Sequence, residues 1–546
     1  MTTLDEATRR EIGQHFVFGF HGHEISDNVK TLITKYYVGN IILMKRNIRD
    51  AQQTLELVLG LQQLAKEAGH ERPLLIGIDQ ENGLVSAFSS PVAGTQFPGA
   101  MAQAAIGDLE LTRKIAAACG QELRLAGINW TYGPVADVNI NPLNPVIGVR
   151  SFGSVPKVVG EYAIAASEGF VSSFVASCAK HFPGHGDTHV DSHLALPVIN
   201  KSKEEIYVGD LPPFQALIAA GVPSIMTAHI ALPLLTGDNT PASLSRKITT
   251  DLLRGELKYG GVVVTDCLEM EAVSSVEKGG CGCEEGAVRA IAAGADVAMI
   301  CHTYSLQVGA VEQTYAAIES GGISLEELKQ SGERIAGMKD KFTGGWIGLV
   351  GQMLIFADAW RGVKERNLEL SSEAYRKSTT VVMDTGSLLP LKSSRIKNIL
   401  LLTPQRSDIN KAVDGSAGDS TNSGNTQPVR NTAAPYDKKF VEILESHGEV
   451  DHIIYGADDL QTLDMGKTDA VIFVTRNALR AQWQWTALKK IVERVGERVP
   501  VVVIASCDPY DLRLIDEELS RARIAFLATH EFTGEAFLGA SARIFG

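Results

Sequence analysis

The segment ASCAKHFPGHGDTHVDSH, residues 176–193, joins a short apolar run to a polar loop, and together they carry four histidines and two aspartates. The run ASCAKHF has the length of a buried strand. An unpaired polar group that is buried costs about 1–3 kcal/mol, so a loop this rich in polar groups is expected to use them. Catalytic residues also concentrate in loops at the ends of strands. The segment therefore predicts a strand that leads into a functional site.

Similar apolar runs recur through the first 300 residues and alternate with helical patterns. The runs are QHFVFGF (14–20), VGNIILM (38–44), PLLIGID (73–79), INWTYGPV (128–135), ASCAKHF (176–182), VPSIMTAH (222–229), GGVVVTD (260–266) and ADVAMICH (295–302). Segments with apolar residues three to four apart lie between them, at 49–67, 106–126, 156–172, 203–220 and 246–258. Near-continuous apolar strands separated by helices indicate a parallel sheet covered on both faces. Eight such units predict a (β/α)8 TIM barrel, with a doubly wound open sheet as the main alternative.

The length of 546 residues predicts more than one domain. We predict a catalytic barrel at 1–342, a helical connector at 343–375 and a smaller α/β sandwich domain at 376–546. The strand-like runs of the last unit are TTVVMD, IKNILLLTP, AVIFVTRN, VPVVVIAS and ARIAFLATH. The stretch 413–435 is rich in Ser, Asn, Gly and Thr, which predicts a mobile loop.

Charge and cysteine usage exclude several classes of protein. A net charge of −13 argues against a nucleic acid or an anionic membrane as partner. The first residues, MTTLDEATRR, have no apolar core and do not resemble a signal peptide. Seven scattered cysteines are typical of a reducing compartment, so we predict a cytoplasmic protein. The pair Cys281-x-Cys283 lacks a second pair of ligands, and we predict free thiols there, with no metal and no cofactor.

Polar residues cluster where the apolar runs end. They are Asp79, Asp137, Lys180, His181, His229, Asp266 and His302. In a barrel all these ends face one rim, which is where barrel enzymes have their active site. Asp266 follows a stiff β-branched run, so the residues alone leave two roles open for it. It is either a catalytic carboxylate or the cap of the next helix.

These motifs resemble those of glycoside hydrolase family 3, in its β-N-acetylglucosaminidase branch. The resemblance rests on four segments in the family's order: DQENG (79–83), RSFG (150–153), KHFPGHGDTHVDSH (180–193) and TDCLEM (265–270). It extends over residues 10–546, because LLPL at 388–391 and the ending ARIFG are also similar to the family's C-terminal domain.

The resemblance implies a role for each matching residue. Asp266 would be the nucleophile of a retaining glycosidase, and His193, held by Asp191, the acid/base. Imidazole titrates near neutral pH, so it can give and retake a proton there. His185 and His189 share this loop, and only the match to the family motif selects His193. The residues that would bind the N-acetylglucosamine ring are Asp79, Arg150, Lys180 and His181, with His229 as a further candidate, while Asp137 is expected to orient its neighbours.

The implied activity is that of a retaining exo-β-N-acetylglucosaminidase acting on a small oligosaccharide that contains N-acetylglucosamine. A phosphorylase that releases N-acetylglucosamine 1-phosphate is the alternative, and a non-catalytic sugar sensor is a third hypothesis. The family's D-Q-E-G-G-R-V-x-R is DQENGLVSA here, with Asn82, Leu84 and Ala87 at the changed positions. Because both arginines are lost, we expect chitin-derived oligosaccharides rather than cell-wall muropeptides. The sequence leaves the oligomeric state open.

Overall fold

The first sheet of the protein is a closed barrel of eight parallel strands. The computed structural model describes residues 4–546 except 190–191, 193–194, 406–436 and 458–464. In chain order, strands β1 to β8 are Phe16–Phe18, Asn40–Leu43, Leu75–Ile78, Trp130–Thr131, Ala176–Phe182, Ser224–Thr227, Val262–Cys267 and Val297–Ile300. Each strand pairs with the next in sequence, and β8 pairs with β1 to close the ring. The predicted barrel is confirmed, with a strand in each of the eight apolar runs.

The barrel closes because its strands are apolar on both faces. Side chains such as Val17, Trp130 and Val264 fill the interior, while the outward faces pack against the helices. Gly77 in β3 has a steric reason to be glycine. A Cβ atom there would lie 2.3 Å from the hydroxyl oxygen of Tyr132, so a larger residue would displace that ring.

Helices surround the barrel and connect its strands. They are Glu6–Gln14, Asp27–Thr34, Ala51–Glu67, Ala100–Ile106, Leu109–Leu125, Pro156–Ser172, Lys203–Gly209, Pro212–Ala219, Pro233–Thr236, Glu271–Ser274, Cys283–Ala292, Tyr304–Glu319 and Leu325–Phe342, with a π-helix at Lys247–Glu256. The five helical segments predicted from the sequence correspond to six helices, because the segment 203–220 divides into Lys203–Gly209 and Pro212–Ala219. Among the described residues, no helix combines the length and the apolarity that a membrane span requires.

A second sheet follows the long helix Gly345–Ser378. Its strands β9 to β14 are Thr380–Asp384, Asn398–Pro404, Glu449–Tyr455, Ala470–Thr475, Val501–Ala505 and Ile524–Ala528, in the order β9-β14-β13-β12-β10-β11. Only β9 is antiparallel to its neighbour. The described helices of this part are Asp437–Leu444, Trp483–Val495, Glu517–Arg521 and Gly534–Phe545.

The second sheet confirms the predicted α/β domain, with one strand more than expected. Strand β11 lies at an edge of the sheet and is half exposed, so its apolar signal is weak. The predicted loop at 413–435 lies outside the described residues. The domain boundaries at 342 and 375 stay a prediction.

The C-terminal domain contacts two loops of the barrel. Glu531 accepts a hydrogen bond of 2.7 Å from the backbone N–H of Gly99, in the loop after β3. The same carboxylate accepts a bond of 2.6 Å from the hydroxyl of Tyr375, in the connecting helix. In the loop after β4, the amide of Asn139 donates to the hydroxyl oxygen of Tyr510 at 2.9 Å. These loops leave the rim at which the predicted site residues lie.

Candidate active site

Four charged side chains form one cluster at the carboxyl ends of β3 and β5. Lys180 Nζ lies 2.7 Å from Asp79 Oδ1 and 2.7 Å from Glu81 Oε1. Arg150 donates from Nε and Nη2 to the two carboxylate oxygens of Glu81, at 2.9 and 2.8 Å. We call these four residues the buried charge cluster. Its two cations and two anions balance, which offsets the cost of burying them.

Electrostatics keep this cluster ionised. Burial alone would raise the pKa of Glu81, but the charges of Arg150 and Lys180 outweigh it and lower that pKa to about 2. Burial likewise opposes the charged form of Lys180, and Asp79 and Glu81 raise its pKa in spite of it. The Asp79 side chain is 33% exposed, against 3–4% for Lys180 and Glu81. Asp79 is therefore the member that a ligand reaches first.

Asp137 organises the chain that leads from β5 into its loop. Its Oδ1 accepts from the backbone N–H groups of His181 and His185, at 3.1 and 2.7 Å. Its Oδ2 lies 2.7 Å from His181 Nδ1. Burial raises the pKa of Asp137, but the charge and hydrogen bond of His181 outweigh it and the net shift is downward. Asp137 is completely buried, so it orients its neighbours without reaching the open rim.

The imidazole of His181 links Asp137 to the buried charge cluster. Its Nδ1 lies 2.7 Å from Asp137 Oδ2, and its Nε2 lies 3.4 Å from Nη2 of Arg150. The predicted ligands Asp79, Arg150, Lys180 and His181 thus meet in one contiguous network. Their sugar-binding role stays a prediction.

The loop after β5 is held by buried hydroxyl and imidazole groups. His185 Nδ1 lies 2.9 Å from the Thr188 hydroxyl, and its Nε2 lies 3.2 Å from the Ser192 hydroxyl. Burial lowers the pKa of His185 to about 4, so this ring is neutral at pH 7. A Cβ atom on Gly186 would lie 1.7 Å from the carbonyl oxygen of Val138. Gly186 is therefore needed for the close packing of the loop.

The predicted acid/base residues, Asp191 and His193, lie outside the described residues. Ser192, between them in sequence, is described and buried. Its carbonyl oxygen accepts a hydrogen bond of 3.4 Å from the backbone N–H of Ala272. Ala272 comes six residues after Asp266, so Ser192 contacts the segment that follows the predicted nucleophile.

Asp266 lies at the end of β7 and is partly exposed. Its Oδ1 accepts a hydrogen bond of 2.7 Å from the backbone N–H of Cys267. Burial raises the pKa of the Cys178 thiol to about 12, and the negative charges of Asp79 and Asp266 add to this effect. Because Asp79 and Asp266 lie at the carboxyl ends of two strands of the same parallel barrel, β3 and β7, both carboxylates are at the same end of the barrel.

The next helix excludes one of the two roles left open for Asp266. That helix starts at Glu271, and its N-cap residue is Met270. Asp266 therefore does not cap a helix. The nucleophile role stays a prediction.

His229 uses both ring nitrogens within the protein. Nδ1 lies 2.7 Å from the Ser243 hydroxyl, and Nε2 lies 2.9 Å from the backbone carbonyl of Cys267. The ring is completely buried. This geometry favours a role in positioning the backbone beside Asp266 over the predicted direct contact with a sugar, which stays a prediction.

Glu81 is the residue of the cluster that sequence reasoning missed. Its signal was the motif DQENG, in which it stands two residues after Asp79. The motif lies in a short hairpin, Gln80–Asn82 paired with Val85–Ser86. In this hairpin, Asn82 replaces the family's glycine and adopts φ +71°, a left-handed conformation that asparagine tolerates. Leu84 and Ala87 pack against apolar clusters. The two lost arginines are thus replaced by packing.

The comparisons with known proteins agree with this architecture. The glycosyl hydrolase family 3 N-terminal domain matches residues 7–338, more than half of the chain. The chain therefore belongs to glycoside hydrolase family 3.

Its relatives carry β-hexosaminidase and β-N-acetylglucosaminidase names. "Beta-hexosaminidase A" of Pseudoalteromonas piscicida is 39% identical over 331 residues, which are 57% of this chain and 54% of that protein. A fungal multi-domain GH3 β-N-acetylglucosaminidase is 35% identical with a TM-score of 0.84, over 98% of this chain and 59% of that one. The GH3 β-N-acetylglucosaminidase from Paenibacillus sp. str. FPU-7 is 33% identical with a TM-score of 0.81, over 100% and 97%. The chain thus spans little more than half the length of the first two.

Proposed function

We propose that this protein is a retaining exo-β-N-acetylglucosaminidase that releases terminal N-acetylglucosamine from chitooligosaccharides or related β-N-acetylglucosaminides. One observation carries the proposal: the buried charge cluster opens through Asp79 onto the rim at which Asp266 lies, one residue before the end of β7. A sugar ring needs fixed donors and acceptors for its hydroxyl groups, and a nucleophile must lie beside its anomeric carbon. The cluster and Asp266 supply candidates for these two roles. The relatives' names favour the N-acetylated sugar.

The cluster suits sugar hydroxyls because its charges are already paired. The partly exposed Asp79 can accept hydrogen bonds from two hydroxyl groups while it keeps its contact with Lys180. Arg150 is held by both oxygens of Glu81 and has little freedom to move toward a ligand. Such preorganisation lowers the entropy cost of binding.

In the proposed reaction, Asp266 attacks the anomeric carbon and a glycosyl ester forms. The bond to the leaving oxygen breaks, and His193 gives that oxygen its proton. Neutral His193 then takes a proton from water, whose oxygen attacks the same carbon and releases Asp266. Asp191 would stabilise the charged imidazole. The contact of Ser192 with Ala272, beyond Asp266, supports this pairing of loop and strand.

The first experiment tests the nucleophile. Asp266→Ala should lower kcat on p-nitrophenyl N-acetylglucosaminide by a factor on the order of 10⁴, while Asp251→Ala, on an exposed helical face, should leave it unchanged. A 2-fluoro or 5-fluoro sugar should label the peptide that contains Asp266, as mass spectrometry would reveal. Labelling at any other carboxylate would move the nucleophile.

The second experiment tests the acid. His193→Ala should slow substrates with poor leaving groups far more than p-nitrophenyl substrates, because only the former need a proton donor. Unchanged hydrolysis of chitobiose would contradict the assignment. Each assay is run with and without phosphate, because a sugar 1-phosphate product would identify the reaction as phosphorolysis rather than hydrolysis. Sugar binding without any turnover in the parent protein would instead indicate a sensor.

We also propose a cytosolic location. All seven cysteines are free thiols, and five of them are buried. Free thiols persist in a reducing compartment. Fractionation of the source cells with an antibody to this chain tests the proposal, and recovery outside the cytosol would contradict it.

A further inference from the structure

Two cysteines and one histidine meet beside Asp266, in a group that the proposed reaction does not use. Cys267 ends β7, and Cys301 and His302 follow β8 directly. One ligand atom from each of the three residues lies within 4.8 Å of the other two. We call these residues the thiol–imidazole cluster. In sequence, Cys267 and Cys301 are 34 residues apart, so no spacing motif announces the group.

We propose that the thiol–imidazole cluster binds a soft divalent metal ion of the zinc and cadmium class, and that the bound ion inhibits the reaction at Asp266. Thiolate and imidazole are the ligands that such ions prefer. Around a tetrahedral zinc ion, ligand atoms are separated by roughly 3.5–4 Å. The three side chains therefore need to approach one another by only about 1 Å.

The cluster is accessible from one side and anchored on the other. His302 is exposed and Cys267 is partly exposed, while Cys301 is buried. The Glu269 carboxylate accepts hydrogen bonds from the backbone N–H groups of Cys301, His302 and Thr303, at 2.8, 2.7 and 3.0 Å. These bonds fix the backbone that carries two of the three ligands. An ion can thus enter from solvent onto a preformed arrangement.

The surrounding charges suit a metal dithiolate. Two thiolates and a divalent ion sum to zero, so binding adds no net charge once both thiol protons have left. Glu269, with Oε2 3.8 Å from Cys267 Sγ, balances Arg46, whose Nη2 donates to the Cys301 carbonyl at 2.6 Å. The fourth position is left for a water molecule, because both oxygens of Glu269 already accept backbone hydrogen bonds.

Inhibition follows from the position of Cys267, whose backbone N–H donates to Asp266 Oδ1. Because binding draws Cys267 toward the ion, it disturbs this hydrogen bond and displaces the Asp266 carboxylate from its position near the end of β7. This part of the inference rests on the proposed function, whereas metal binding itself does not.

Metal binding is tested on the intact reduced protein with Cd²⁺ as the probe. Wild type should bind one Cd²⁺ with a thiolate-to-metal absorption band in the ultraviolet. Cys267→Ser should abolish the band and weaken binding at least tenfold, whereas Cys281→Ser, at a partly exposed thiol outside the cluster, should retain it. An unchanged band in Cys267→Ser, or no band in wild type, would overturn the site. Because Cys267 is partly exposed, this variant is expected to fold, which circular dichroism checks.

Inhibition is tested separately on the same samples. Cd²⁺ and Zn²⁺ should reduce turnover of wild type and of Cys281→Ser, and a chelator should restore it. Cys267→Ser should need at least tenfold more metal for the same inhibition. Equal inhibition of all three proteins would overturn the link to Asp266. If no sample turns over substrate, the proposed function fails, and the absorption band still decides the metal site.

Discussion

The Glu81 carboxylate receives two hydrogen bonds from the Arg150 guanidinium, and neither side chain is more than 6% exposed. Removing one partner of a buried pair leaves the other charge uncompensated, at a cost of about 3–5 kcal/mol. We expect Glu81→Gln to lose free energy of unfolding in this range and to raise KM, because Arg150 and Lys180 lose their common anchor. Urea denaturation and steady-state kinetics measure both effects.

The matched control is Glu24→Gln, at an exposed position. It should change neither the unfolding midpoint nor KM. A Glu81→Gln protein as stable as this control would show that the two cations do not depend on Glu81.

The burial of His185 predicts that the protein loses stability in acid. Its pKa is 6.5 in a free histidine and about 4 in the fold, because burial disfavours the charged ring. As the pH falls below 6.5, the unfolded chain takes up a proton that the folded protein refuses. The free energy of unfolding therefore declines between pH 6.5 and pH 4, by at most roughly 3 kcal/mol.

Denaturation at several pH values tests this dependence. His185→Gln should flatten the decline, since glutamine does not titrate, whereas His189→Gln, at an exposed position of the same loop, should leave the slope as in wild type. Equal slopes in wild type and His185→Gln would be evidence against the burial effect.

A variant that removes the contact of His229 with Ser243 distinguishes a positioning role of His229 from a direct role in sugar binding. Ser243→Ala removes the partner of Nδ1 and should allow the ring to release the carbonyl of Cys267. We expect a several-fold fall in kcat with little change in KM, because Asp266 is misplaced while the sugar contacts remain. Steady-state kinetics decide the matter. A rise in KM at constant kcat would instead favour the direct sugar contact predicted from the sequence.

The hydrogen bonds of Glu531 predict that the stability of the barrel depends on the C-terminal domain. Glu531→Ala leaves the N–H of Gly99 and the hydroxyl of Tyr375 without their acceptor, at a cost of about 1–3 kcal/mol each. Thermal unfolding should therefore begin at a lower temperature. Glu535→Ala, on the following helix, should have a much smaller effect, and similar losses in both variants would contradict the role of the junction.

The fold was predictable because the signal for each barrel strand is local. A strand buried on both faces has a nearly continuous apolar sequence, as in PLLIGI at 73–78, and eight such runs indicate a closed barrel. Strand Glu449–Tyr455 was missed for the opposite reason. It lies at a sheet edge, where six of its seven residues are exposed or only partly buried, and EVDHIIY has no continuous apolar run.

Without the family motif that identified Arg150, the site was predictable where a residue lies at or near the end of a strand. Lys180, His181 and Asp266 have that position, and their convergence follows from the barrel alone. Glu81 meets Arg150 through two loops that are 69 residues apart, and no periodicity in the sequence relates them. Cys267 and Cys301 end neighbouring strands, but isolated cysteines are usually core residues, and only the register of the barrel brings them together.

The hydrogen bond from Gly99 to Glu531 lies at an interface that restricts which substitutions the two domains can accept. Met101 and Val149, both from the barrel half, belong to the same apolar cluster as Leu388 and Phe532. A substitution on either side of this cluster therefore changes the packing of the other half. Exchanging the C-terminal half for that of a distant relative would create a chimaera with mismatched surfaces against the barrel loops that carry the candidate site.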